Sequence, residues 1–305
     1  MADPSPLRDE LAKSGFVIQR ALLTPSELAT LRAAASRTTA LARSGGWPDV
    51  RTVGKQFPPW TAGDAASLEG GGGIWGVQGL LHPSLPDAPV FARAYFGDAT
   101  LGVAKELLGP GCGDADLVME LFNLLVRPGR DFALRWHRDD VPDEADEAEE
   151  EARLGDGKGR PRSHTQWNLA LYPDASLVVV PGSHARARTA AERAAGPDAD
   201  HLPGELAVEL GAGDAVFYDN NILHRGTYEA GRERMTLHGS VGRAGAGPLR
   251  ARNVLQHGVG AWVGRCDFSG LGGEGERIRR RAEGMRERLV KLGRESGDVG
   301  YSLTG

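Results

Sequence analysis

Leu134-Arg135-Trp136-His137-Arg138-Asp139 ends a strand candidate in a His-X-Asp triplet. In an extended strand, residues i and i+2 point to the same side. The imidazole of His137 and the carboxylate of Asp139 are therefore presented together. Such a triplet occurs by chance in many proteins, so a third ligand has to be found. Further along, Gly213-Asp214-Ala215-Val216-Phe217-Tyr218-Asp219-Asn220-Asn221-Ile222-Leu223-His224 reads as a turn, a strand and a short link to His224. A second strand of this kind returns His224 to the first pair. Two histidines and one carboxylate form the facial set that leaves positions open on iron(II).

Arg234 follows in Arg232-Glu233-Arg234-Met235-Thr236-Leu237, at the entry to another strand candidate. An arginine near such a metal pairs in two-pronged fashion with a dicarboxylate that chelates the ion through its other end. Arg232 competes for that role, and an ordinary place at a surface turn competes with both. Of the remaining histidines, His184 lies in a turn-like segment and His238 in a strand candidate where it packs.

Around these motifs the chain reads as many short strands: Leu117–Val126, Phe132–His137, Thr165–Leu171, Leu177–Val180, Leu206–Leu210, Ala215–Tyr218 and Met235–Val241. Gly, Pro or Asp usually separates them, which argues for an antiparallel sandwich or barrel. Phe16-Val17-Ile18 is a further strand. Thr24-Pro25-Ser26-Glu27 then caps a helix that carries Leu28, Leu31 and Ala35 on one face. Residues 44–73 read as an irregular loop and residues 89–108 as one helix. Residues 141–163 form a charged insertion, acidic first and then basic, expected to be a solvated loop beside the metal motif. Residues 276–292 form an amphipathic helix, with Gly293 as its expected stop. The whole chain, residues 1–305, is read as a single domain.

Net charge is −5, which gives no electrostatic reason to expect nucleic acid as a partner. No apolar run approaches the roughly 20 residues of a membrane span. The N-terminus lacks the pattern of a signal peptide and the C-terminus is not a peroxisomal address. Cys112 and Cys266 have no zinc-type spacing and are expected to be buried free thiols. A soluble, cytoplasmic protein acting on a small molecule is the expectation.

In sum of its ordered motifs, the chain resembles the phytanoyl-CoA dioxygenase family of iron(II)/2-oxoglutarate oxygenases. Ser14-Gly15-Phe16-Val17 with Leu23-Thr24-Pro25-Ser26-Glu27-Leu28 resembles the family's opening. Trp136-His137-Arg138-Asp139 resembles its first metal motif, and Val180-Pro181-Gly182-Ser183-His184 its Pro-Gly-Ser-His turn. Gly213 through His224 resembles its second metal strand, and Arg234 stands where the cosubstrate arginine belongs. The likeness runs from about residue 14 to residue 241. It implies a mainly β fold with flanking helices, a double-stranded β-helix or jelly-roll barrel of cupin-like type. It implies Fe(II), 2-oxoglutarate and O2 as cofactor and cosubstrates, with iron held by His137, Asp139 and His224. It adds Asn123, Trp167 and Gln78 to Arg234 as cosubstrate contacts. The expected reaction oxidises, and by default hydroxylates, an unactivated C–H bond while releasing succinate and CO2. The competing readings are a cupin-type metal enzyme that does not use 2-oxoglutarate, and an inactive barrel that serves as a binding module. The long acidic insertion, the short Tyr172–Ser176 segment and a spacing one residue short between His224 and Arg234 depart from the family pattern.

Overall fold

Two antiparallel sheets face each other, and helices cover the outer side of the larger one. The computed structural model describes residues 5–53, 73–154, 162–244, 250, 254–255, 258–271 and 276–297. Helix α1 (Pro6–Ser14) is capped by the Ser5 hydroxyl and stops at Gly15, whose φ of 83° suits glycine. It precedes β1 (Phe16–Gln19) and had no counterpart in the sequence reading. Helix α2 (Pro25–Arg43) begins with the expected reciprocal cap between Thr24 and Glu27.

Strands β2 (Val50–Thr52) and β3 (Ile74–Val77) follow, so part of the supposed loop is paired sheet; residues 54–72 lie outside the described residues. The expected helix over residues 89–108 is two helices, α3 (Ala88–Phe96) and α4 (Asp98–Leu108). Gly97 between them is extended, and a Cβ there would stand 2.7 Å from the Arg93 carbonyl oxygen. The remaining strands are β4 (Leu117–Val126), β5 (Phe132–Ala133), β6 (His164–Ala170), β7 (Leu177–Val179), β8 (Leu206–Ala207), β9 (Ala215–Tyr218), β10 (His224–Tyr228) and β11 (Met235–Arg243). Short helices α5 (Glu147–Leu154) and α6 (Ala190–Ala195) lie between them, and α7 (Glu276–Ser296) comes last. Helix α7 runs through Gly293 rather than ending there.

The larger sheet has the order β1-β9-β6-β11-β4-β3-β2, and the smaller β5-β10-β7-β8. Every strand pairing is antiparallel. This is the expected mainly β, jelly-roll type of architecture with flanking helices. Alternation along each strand divides the side chains between two environments. Trp167, Leu169, Phe217, Leu237 and Val241 face the helices and join one hydrophobic cluster that reaches from Leu11 to Leu289. Val216, Tyr218 and Ala170 face the smaller sheet and pack on Leu177, Val179 and Val208. Cys266 is buried as expected, whereas Cys112 is only partly so. Among the described residues, no helix is long and apolar enough to cross a membrane.

Trp167 anchors the helix side. Its indole lies against Tyr95 and Phe217, with ring centroids 5.6 and 5.8 Å away. Gly239 is its partner across β6 and β11, and a Cβ on Gly239 would lie 2.4 Å from Trp167 Cζ2. Gly239→Val should therefore cost about 1–3 kcal/mol through overpacking, read as a lower urea midpoint with an unchanged slope. An unchanged midpoint would show that the indole moves aside freely.

Candidate metal and cosubstrate site

The chain leaving β5 continues as an extended segment beside β10. Leu134 N–H donates to the Gly226 carbonyl, and His137 and His224 exchange two backbone hydrogen bonds of 3.1 Å each. Alternation sends His137 and Asp139 into the space between the sheets. Trp136 turns the other way, into a cluster with Val178, Val180, Leu202 and Leu223.

His137 Nε2 lies 3.5 Å from Asp139 Oδ1, and His224 Nε2 lies 3.8 Å from the same oxygen. One ligand atom from each of the three residues falls within 4.8 Å of the others. Nδ1 of His137 is 2.8 Å from the Arg135 carbonyl oxygen, and Nδ1 of His224 is 2.9 Å from that of Ile222. A carbonyl only accepts, so each Nδ1 carries a hydrogen and each Nε2 is the nitrogen left to bind a metal when the ring is neutral. Burial, with His137 alongside, pushes the His224 imidazole down to about 4, which keeps it neutral at pH 7. Burial alone would lower His137, but its hydrogen bond to Asp139 and that charge outweigh burial and raise it. Gln166 Nε2 donates to Asp139 Oδ2 over 3.2 Å, which steadies the carboxylate. This donor set fits a divalent ion with open positions.

The three residues open onto a cavity of about 170 Å³. Arg234 lies in its wall with 6% of its surface exposed. Its Nε donates to Asp174 Oδ2 at 3.1 Å, its guanidinium stacks 4.4 Å above the Tyr228 ring, and its Nη1 has no partner. Burial works to raise the Asp174 carboxyl, but Arg234 and hydrogen bonds from Ser176 and Thr236 outweigh it and bring it down to about 2. Arg232 is exposed, so it is Arg234 that reaches the cavity.

The other three expected cosubstrate contacts do not reach it. Trp167 has the wrong strand parity and is sealed in the helix-side core. Its neighbours Gln166 and Asn168 face the cavity instead. Asn123 and Gln78 line a separate small cavity behind Leu121, large enough for about one water. There both oxygen and nitrogen of Gln78, and Nδ2 of Asn123, lack protein partners. Residues missed in the sequence include Arg51, Tyr218, Tyr228, His238 and Arg250, which line the metal cavity. His238 does more than pack, since its Nδ1 meets Asn168 Oδ1 at 2.9 Å. The polar residues at 166 and 168, flanking an apolar 167, were the available signal.

A buried ion network holds the site from behind. Arg138, between the two ligands, donates to the Ser183 carbonyl at 2.8 Å and also to that of Asn221. Ser183 Oγ accepts from Leu223 N–H at 2.8 Å. The Pro-Gly-Ser-His turn thus joins both metal motifs. Glu150, fully buried, lies 3.8 Å from Arg138 and makes 2.5 Å pairs with Arg188 and Arg193. The insertion is therefore not merely solvated. Its helix α5 is tied into the site's support, while residues 155–161 lie outside the described residues.

The profile of the phytanoyl-CoA dioxygenase (PhyH) family matches residues 11–232, most of the chain. The chain belongs to that family. It is accordingly an iron- and 2-oxoglutarate-dependent dioxygenase by class. Comparison with curated protein sequences finds no match. Among solved structures, AviO1 from Streptomyces viridochromogenes Tue57 is similar, with 21% identity, 79% of this chain and 96% of that chain covered, and a TM-score of 0.52. EctD from S. alaskensis, solved with 2-oxoglutarate and 5-hydroxyectoine, shares 18% identity over 79% of this chain and 77% of its own, with a TM-score of 0.54. The same protein with bound Fe gives 20%, 80%, 78% and 0.52. At these identities the likeness is one of fold.

Glu150→Ala should cost about 3–5 kcal/mol, because it leaves Arg138 and its neighbours without their buried counter-charge. Urea denaturation measures this, and a loss below about 1 kcal/mol, the value of an exposed pair, would show that water replaces the carboxylate.

Proposed function

We propose that His137, Asp139 and His224 hold one iron(II) ion and that Arg234 receives the far carboxylate of 2-oxoglutarate. The substrate is a small organic molecule, oxidised at an unactivated C–H bond, with hydroxylation as the ordinary outcome. One observation carries this reading: the same cavity holds the three-residue donor set and a buried arginine whose Nη1 is unpaired. A metal barrel that makes no use of a dicarboxylate would have no need of that arginine.

The iron supplies the oxidative chemistry, which releases succinate and CO2 from 2-oxoglutarate as the substrate is oxidised. The chain supplies position and shielding. Asp174 and Tyr228 hold the guanidinium so that its free edge meets a carboxylate without further ordering. Leu121, Leu125, Leu134 and Leu177 give the cavity apolar walls that exclude water. His238 is brought down to about 3 by burial and by Arg51, so it stays neutral and adds no charge beside the metal.

Purified protein should bind one iron(II) per chain, and His137→Ala or Asp139→Ala should sharply weaken binding, measured as metal content after desalting. Arg234→Ala should keep the iron but weaken 2-oxoglutarate by about 2–5 kcal/mol, more than tenfold. Equal iron in wild type and both ligand variants would sink the metal assignment. Unchanged 2-oxoglutarate affinity in Arg234→Ala would sink the cosubstrate assignment.

A further inference from the structure

The cavity's charged groups leave one cation unmatched. Among the described residues that line it, Asp139 cancels one of the two charges of a divalent ion. Arg234 is matched by Asp174, and Arg250 by Glu120, which takes its Nε at 2.6 Å. The neutral imidazole of His238 contributes nothing. Arg51, in β2, also lines the cavity, and none of the described carboxylates lies within ion-pair distance of it. Its Nε is enclosed without a hydrogen-bond partner, and its guanidinium sits 5.5 Å from the centre of the Trp75 ring. Desolvation lowers its pKa, as befits a cation with too little counter-charge.

Register places this arginine. Arg51 pairs with Gly76, Gly76 with Leu125, and Leu125 with Thr236, two residues beyond Arg234. Arg51 and Arg234 therefore stand at the same end of the larger sheet, and both line the cavity with Tyr228. A half-buried cation with an enclosed, unpartnered Nε is costly, and an anionic ligand removes that cost.

We propose that Arg51 is a second cosubstrate-binding residue, supplying the positive charge that makes the metal-loaded cavity a site for a dianion. This rests on the reading that the site takes 2-oxoglutarate. With the ion in place, the cavity carries one residual charge at the metal and one at Arg51. A 2-oxo dicarboxylate carries two negative charges. Arg234, already matched by Asp174, gives directional hydrogen bonding, while Arg51 gives the missing charge.

The test is calorimetric titration of 2-oxoglutarate and of 2-oxobutanoate into Mn(II)-loaded wild type, Arg51→Gln and Arg51→Lys. 2-Oxobutanoate has the same chelating end and one negative charge fewer. Arg51→Gln should keep wild-type metal content and a thermal midpoint no lower than that of wild type. It should weaken 2-oxoglutarate at least about tenfold and 2-oxobutanoate by no more than about threefold, with Arg51→Lys recovering part of the loss. Unchanged 2-oxoglutarate affinity in Arg51→Gln would overturn the proposal and leave Arg51 to an anionic group on the organic substrate. Equal losses for both acids would overturn it too, since they indicate general damage. A wild-type protein that binds neither acid would fell the cosubstrate reading itself, whereas normal wild-type binding with an unaffected variant fells only the role of Arg51.

Discussion

The reciprocal backbone pair between His137 and His224 is the constraint on which the site depends. Two histidines far apart in sequence become neighbours because their peptide groups are exchanged across one narrow pair. Their rings are then 4.3 Å apart, and the alternation that turns His137 inward turns Asp139 inward as well. What must be selected is the register, since a slip of one residue would send Trp136 and Arg138 inward instead. That slip is opposed on the far face, where Trp136 is packed and Arg138 is bound to backbone carbonyls and Glu150.

The buried charges follow from the same geometry. A barrel that presents polar residues inward must neutralise them locally, because its interior replaces little of the solvation that water gives. Glu150 does this behind the metal motif, Asp174 at the cosubstrate end and Glu120 at the Arg250 wall. The acidic insertion thereby has a structural reason to lie directly after Asp139. It returns one carboxylate to Arg138, which braces the Pro-Gly-Ser-His turn, and to Arg188 and Arg193, which bond the insertion's own carbonyls.

Much of the fold was legible because period-2 patterns bounded by Gly, Pro and Asp survive in β4, β6, β9 and β11. The grouping of His137, Asp139 and His224 was legible for the same reason, since strand alternation puts i and i+2 on one side and a second strand returns His224 to them. Strand parity was the missing step at Trp167. Trp167 was expected from the family resemblance, but it faces the helices, and its neighbours Gln166 and Asn168 line the cavity. Gln78 and Asn123 were likewise expected from the resemblance, and they line the smaller neighbouring cavity. Arg51 was hidden because β2 is three residues long and lies at a sheet edge beside a Gly-rich stretch. Glu150 was hidden because its partners are arginines that lie beyond the Pro-Gly-Ser-His turn, so its neighbours in sequence look only solvated.

Pre-pairing an arginine with a protein carboxylate does not waste it for an anionic cosubstrate, and the geometry at Arg234 explains why. A guanidinium offers five donors in a fixed plane. Asp174 takes the Nε edge, and Tyr228 covers one face. Asp174 is itself fixed by the Ser176 amide and by the hydroxyls of Ser176 and Thr236. The plane of the guanidinium is thus set before any ligand arrives, with Nη1 as the donor left over. Orientation is obtained at the expense of net charge, which Asp174 cancels. A site built this way has to find its positive charge elsewhere, and directional recognition and charge compensation fall to two different arginines.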